Sequence, residues 1–225
     1  MKLGRLWGIV FLLFLSAISG LSAENEDAGG WALDVKAGTL GIGADLNRSI
    51  VPGLLNLRAG VSLYSHTADF DIDGIRYNTD LRLGAVPVSL DVFPFRNWFR
   101  LGGGFLFNLN EFTGRTPLSG TISIGDNQYE IQDFGRLEAK IDFNEVAPFV
   151  GIGFNNPIKK SGRLGFFADL GFMYHGTPAV TLSTSQPVSN PQFQADLEKE
   201  LQNINEDIRD YTILPIIQLG ISYRF

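Results

Sequence analysis

The sequence predicts one all-β domain: a transmembrane antiparallel β-barrel of eight strands, with one amphipathic helix in the loop before the last strand. Three observations carry that prediction. Apolar residues recur with a period of two along segments of about ten residues or more, the length a tilted membrane-spanning strand needs. The alternate face of the same segments is charged and rich in glycine. A leader of the kind that directs export stands in front of them. In a water-soluble sandwich the apolar faces would form the core and the polar faces would meet solvent. In a transmembrane barrel the apolar face meets lipid and the charged face lines the lumen.

The leader is residues 1–23. Lys2 and Arg5 open it, the apolar run Leu6 to Leu15 follows, and Ser16 to Ala23 is a small-residue stretch ending in Leu21-Ser22-Ala23. The apolar run is too short to span a bilayer as a helix, so it reads as a secretory signal peptide, with the barrel over residues 24–225. Removing it takes two basic residues and no acidic one from totals of 18 and 24, which leaves a net charge of −8. Such an acidic chain is no partner for nucleic acid, whose phosphates call for clustered Lys and Arg. The absence of cysteine excludes a disulfide scaffold, a thiolate metal site, a cysteine nucleophile and a lipid-anchored lipoprotein.

Seven strands read plainly: 31–47, 54–66, 78–92, 98–110, 146–154, 163–175 and 211–225. In 54–66, Leu55, Leu57, Ala59, Val61 and Leu63 oppose Asn56, Arg58, Gly60 and Ser62. In 163–175, Leu164, Phe166, Leu170 and Phe172 oppose Gly165, Asp169 and Gly171, with Phe167 and Met173 as apolar exceptions on the polar face. Two segments keep the pattern only if the phase slips once, near Gly38 in the first and near Pro87 in the third, as a β-bulge would produce. An eighth strand is needed for an even count. The best is 135–143, where Leu137, Ala139, Ile141 and Phe143 alternate with charges. The other arrangement makes 135–143 the outer half of one long strand running to 155, with 118–124 or 127–133 as the eighth. Ten strands is the alternative count.

The polar faces assign a lumen set of Asp34, Lys36, Asp45, Arg58, Asp80, Arg82, Asp91, Arg100, Asp169 and Arg224, five acidic and five basic. A small barrel has an interior just wide enough for side chains. Balanced charges there form a paired plug more readily than an ion filter, because an unpaired buried charge is costly. Outside the strands, Asn190-Pro191 can cap and start a helix in which Phe193, Leu197, Leu201, Ile204 and Ile208 recur on one face. This helix is either packed over the barrel mouth or a lid or docking surface.

The most specific signal is the ending, Gln218-Leu219-Gly220-Ile221-Ser222-Tyr223-Arg224-Phe225. It resembles the terminal strand of bacterial outer-membrane barrels, with Gln218, Gly220, Tyr223 and Phe225 as the assembly signal. Segments such as Ala147-Pro148-Phe149-Val150-Gly151-Ile152-Gly153 are also similar to a stretch common in small bacterial outer-membrane β-barrel proteins. The resemblance implies residence in the outer membrane of a Gram-negative-type bacterium, with outer-membrane lipids and the barrel-assembly machinery as partners. It transfers no activity.

Two features touch on chemistry. Asp69, Asp71 and Asp73, followed by Gly74 and Asp80, have the spacing of a calcium loop, but without flanking helices the segment also reads as an acidic hairpin tip. Weak calcium binding is the sole cofactor it suggests. For catalysis, the chain has only His66 and His175; Ser65 and His66 are adjacent and point to opposite faces of a strand, and His175 has no evident serine partner. The expected function is therefore non-enzymatic, a structural or ligand-binding protein working through outward loops, with the extracellular ligand unspecified. A narrow channel for small solutes is the second reading, and an outer-membrane acyl hydrolase a remote third.

Overall fold

The structure is a computed structural model that describes residues 30–72, 75–125, 127–155 and 163–225, with residues 68–72 and 75–77 described by their backbone alone. The leader, including the expected cleavage point, lies outside the described residues. The strands that build the wall are β1 (Trp31–Gly38), β2 (Gly41–Val51), β3 (Leu55–Ile72), β4 (Ile75–Val92) and β5 (Phe99–Asn108). After β5 the chain forms β6 (Glu111–Arg115), β7 (Thr121–Ile124), β8 (Asn127–Glu130), a single-turn helix α1 (Ile131–Phe134) and β9 (Leu137–Asp142). It then returns through β10 (Val146–Phe154), β11 (Leu164–Tyr174), β12 (Ala179–Thr184), helix α2 (Pro191–Ile208) and β13 (Ile213–Arg224).

Eight of these close on themselves: β1, β2, β3, β4, β5, β10, β11 and β13, each antiparallel to the next, with β13 pairing back onto β1. The predicted number holds, but two of the assignments behind it do not. Residues 31–47 are not one bulged strand. They are β1 and β2, joined by a tight turn at Thr39-Leu40 in which Gly41 takes φ of +97°. A two-residue turn pairs Gly38 with Gly41, so the inward face passes from even to odd residues, and periodicity alone cannot tell this from a bulge. The segment 135–143 is accordingly not an eighth strand. It is the outer half of the long strand ending at Phe154, because β6–β9 and β5–β10 share one register. The segments 118–124 and 127–133 supply a separate two-stranded hairpin outside the wall.

Near Pro87 there is no slip. The registers β3–β4 and β4–β5–β6 run unbroken from the base of β4 to its upper half. Leu81 and Leu83 thus share the inward side with Asp91, and Asp80 and Arg82 turn outward. The physical reason is height: residues 75–84 stand above the apolar belt, where pairing with β6, not contact with lipid, decides which side chains face where.

β3, β4, β6, β9 and β12 extend as one sheet past the shorter β13, β1 and β2. The short connections at 52–54 and 93–98 lie at one end, as do Phe154, Leu164 and both termini of the wall at Trp31 and Arg224; the long loops lie at the other. The end with the short connections is the inner end of the barrel, and the end with the long loops the outer one. The outer end carries a cap made of the β7–β8 hairpin, α1 and α2, with its own core of Ile122, Ile124, Ile131, Phe134 and Phe193. As predicted, Asn190 caps α2: its Oδ1 accepts from the Gln192 and Phe193 amides at 3.0 and 3.4 Å, with Pro191 in the first turn.

Candidate functional site

The outward face of the wall is apolar and bare. Phe166 is 80% exposed, Val150 65% and Leu219 62%, and Val35, Ile42, Leu57, Leu90, Phe105, Ile217 and Ile221 continue the belt around the barrel. Water tolerates no such continuous surface, so it is the lipid face. Aromatic residues mark both rims: Trp98, stacked on Phe154 at 5.5 Å, with Tyr223 and Phe225 at the inner end, and Tyr174 and Tyr211 at the outer.

Inside, the predicted charges from six strands converge in one layer. Lys36 Nζ donates to both oxygens of Asp45 at 2.6 and 2.7 Å. Arg58 donates to Asp169 Oδ2 at 2.7 Å and to Asp91 Oδ1 at 3.2 Å. Arg100 donates to Asp169 Oδ1 from Nη2 at 2.6 Å and from Nε at 3.2 Å. Arg100, Asp91, Asp45 and Lys36 are all almost fully buried. Glycines opposite them supply the room. A Cβ on Gly153 would overlap both the Arg100 side chain and the Asp169 carboxylate, and one on Gly102 would lie 2.8 Å from Asp91 Oδ1.

Above this layer sits a second that the sequence reading missed. Leu40, Ala85, Leu106, Ala147, Met173 and Ile216 are buried together inside the lumen, with Phe149 and Leu214 packed against them. Their signal was present as apolar residues on the polar face near the outward end of several strands, and Met173 was seen only as an exception. Leu40 arrives from the β1–β2 turn, which Thr39 ties to β13: its Oγ1 donates to the Pro215 carbonyl at 3.0 Å and accepts from the Ile217 amide at 3.1 Å. Between the two layers lies a cavity of about 40 Å³, bordered by Lys36, Arg58, Arg100, Gln218, Leu106 and Phe149. That is room for a few waters at most.

No family model and no curated protein matches the sequence. Solved structures do match. The crystal structure of CarO2 from Acinetobacter baumannii aligns at 20% identity with a TM-score of 0.57, over 87% of this chain and 98% of that one. CarO from the same organism aligns at 21% identity with a TM-score of 0.54, over 86% and 97%. A major outer membrane protein from Thermus thermophilus aligns at 15% identity with a TM-score of 0.46, over 88% and 100%.

The chain has the fold of an outer-membrane β-barrel.

Two residues of the predicted lumen set lie elsewhere on this barrel. Asp80 and Arg82 face outward, for the register reason given above. Asp80 joins a surface network in which Arg115 donates to it at 2.6 Å and to Glu138 at 2.7 Å. Hydrogen bonds from the Thr67 hydroxyl and from Arg115 hold its carboxyl below the usual carboxylate range. Arg224 faces inward as predicted, half-buried at the rim that carries the short connections, and among the described residues it makes no ion pair.

Of the predicted calcium ligands, Asp80 is thus already engaged by Thr67 and Arg115. The backbone of β3 places Asp69 opposite Asn78 and Asp71 opposite Arg76, in regular hairpin register, and Asp73 lies outside the described residues. Of the histidines, His66 is exposed and stacks on Tyr64, and His175 is buried edge-on against Phe143 at 4.9 Å. In the terminal strand of the barrel, Gln218 faces the lumen, buried, and Gly220 faces the same way with no space for a Cβ beside the Phe167 ring. Tyr223 and Phe225 project outward, half-exposed, with ring centroids 6.3 Å apart.

Proposed function

We propose that this protein is a non-enzymatic outer-membrane barrel that acts through its outward cap and does not conduct. One observation carries the reading: the lumen is filled twice over, by an ion-paired layer and by the apolar layer of Leu106 and Met173 above it. A pore needs a continuous wetted path, and a dry apolar constriction stacked on paired charges opposes one. The binding role falls to the outer end because most of the chain beyond the membrane is there, folded around a core of its own. An extracellular ligand or partner of this cap is the expected object of binding.

Recordings from the purified protein in planar bilayers test the claim. The expected result is a silent membrane under applied voltage. Reproducible unitary steps would contradict it and establish the narrow-channel reading instead.

Delivery belongs to the same proposal. Residues 1–23 direct export, and the outward rings of Tyr223 and Phe225 on the closing strand present the assembly signal. Deleting Phe225 is expected to lower the amount of heat-modifiable barrel in the outer membrane sharply while leaving export unchanged. A normal yield would refute the signal role.

A further inference from the structure

The cap holds a cleft where its parts meet. It lies between β8, α1 and the segment 185–190 that leads into α2, has a volume of about 310 Å³, and is bordered by Tyr129, Asp133, Phe134, Val188, Ser189 and Phe193. That volume stands at the small end of the range for ligand sites, about 300 to 1,000 Å³. Its depth is apolar. Phe134 and Phe193 are buried with ring centroids 5.0 Å apart, the Tyr129 ring meets Phe193 edge-on at 5.0 Å, and Tyr129 and Val188 form half-buried walls. Its lip is polar and exposed, formed by Asp133 of α1 and by Ser189 and Asn190 on the approach to α2.

The lining carries a single charge, that of Asp133. Among the described residues the Asp133 carboxylate makes neither an ion pair nor a hydrogen bond, and the Ser189 hydroxyl has no partner. The N-terminus of α2, which would otherwise draw an anion to this edge, is satisfied within the chain. Pro191 has no amide hydrogen, the amides of Gln192 and Phe193 donate to Asn190 Oδ1, and that of Gln194 donates to the Asn190 carbonyl at 3.2 Å. Behind the Tyr129 ring stands a second carboxylate, Asp196, which accepts from the Tyr129 hydroxyl. The rest of the cap has the same sign: residues 116–136 and 185–210 carry nine acidic and three basic side chains. A concave site inside such a field concentrates cations.

We propose that this cleft binds a small organic cation, an ammonium group on a compact apolar body, with Asp133 pairing the charge and the body seated against Tyr129, Val188 and Phe193. The Ser189 hydroxyl is placed to accept a further ammonium hydrogen. The lining selects the class. One carboxylate and one hydroxyl cannot furnish the six to eight oxygens a calcium ion takes, and apolar walls suit an organic body. This ligand class rests on the reading of the cap as the binding end of the molecule.

The test is titration calorimetry of the full barrel in a non-ionic detergent at neutral pH, with phenethylammonium chloride and its uncharged counterpart 2-phenylethanol as probes. Saturable binding of the ammonium compound is expected, with the alcohol weaker by about tenfold. Asp133→Asn is expected to bring the two probes to the same affinity, and Ser189→Trp, which fills the cleft from its lip, to abolish the binding of both. Both positions are exposed and outside the core of the cap, and either variant suffices if the other does not fold. No saturable binding of the ammonium compound overturns the proposal, as does equal affinity for the alcohol in the unaltered protein. Ammonium binding unchanged in either variant places the ligand elsewhere and overturns it as well. Conduction is a separate readout: a barrel that fails these titrations and is silent in bilayers loses this site and keeps the sealed lumen, whereas one that passes them and shows unitary steps keeps the site and loses the sealed lumen.

Discussion

Gly153 shows how much of this lumen is decided by single residues. It stands where a side chain would collide with Arg100 along its length, and with Asp169 beyond it. Gly153→Ala is therefore expected to push the guanidinium off its carboxylate and leave two buried charges poorly paired, a loss of about 3 kcal/mol. Urea unfolding of the barrel in lipid vesicles measures it, and unchanged stability would show that the pair contributes nothing there. Residue identity alone marked Asp34, Lys36, Asp45, Arg58, Asp91, Arg100 and Asp169 as inward, because within the membrane the alternation of lipid and lumen is strict. It misplaced Asp80 and Arg82, because above the membrane that alternation no longer separates oil from water. Leu81 and Leu83 are the apolar pair there, and they face in.

At the scale of elements, one carboxylate adds a polar tie between the hairpin of the cap and its long helix. Asp196, nearly buried on α2, accepts hydrogen bonds from the Tyr129 hydroxyl and the Asn127 amide on the β7–β8 hairpin, and from Gln192 on its own helix. These contacts, Tyr129 first, hold the Asp196 carboxyl below its usual range, and the same bond pushes the Tyr129 hydroxyl up to about 12. An acid whose pKa falls on folding adds stability above its unfolded value, about 4, and loses it as pH drops through the lower folded value. A phenol raised on folding adds stability below about 10 and loses it as pH climbs toward its folded value. The hairpin is thus expected to stay docked between those limits and to loosen beyond either. Amide exchange of residues 121–130 followed against pH reads this directly, and Asp196→Asn is expected to flatten the acid limb. A limb that persists in the variant would assign the loosening to another group. The helix itself was legible from Asn190-Pro191 and the spacing of Phe193, Leu197 and Leu201. The β1–β2 hairpin was not, since a turn of two residues shifts phase as a bulge does, and neither Thr39 nor Leu40 has the turn chemistry that would have announced it.

For the whole molecule, eight strands surround a core that is itself a plug, and the outward cap stands on a tall sheet made of the upper halves of the strands. The closed wall and its lipid face were readable from period and ending alone. The apolar layer was not, because it is assembled from one or two residues on each of several strands, Leu106, Met173, Phe149 and Ile216 among them, and only closure brings them together. The chain contains no cysteine, so each introduced thiol is a unique reporter. The most direct test of the sealed lumen is the reaction of Leu106→Cys with a small charged thiol reagent, added to either side of vesicles holding the folded barrel, with Ser123→Cys in the exposed hairpin as the reactive reference. The account predicts that the thiol at 106 stays unmodified from both sides while the one at 123 is labelled at once. Labelling at 106 at a rate approaching that at 123 would mean a wetted path through the barrel, and would contradict it.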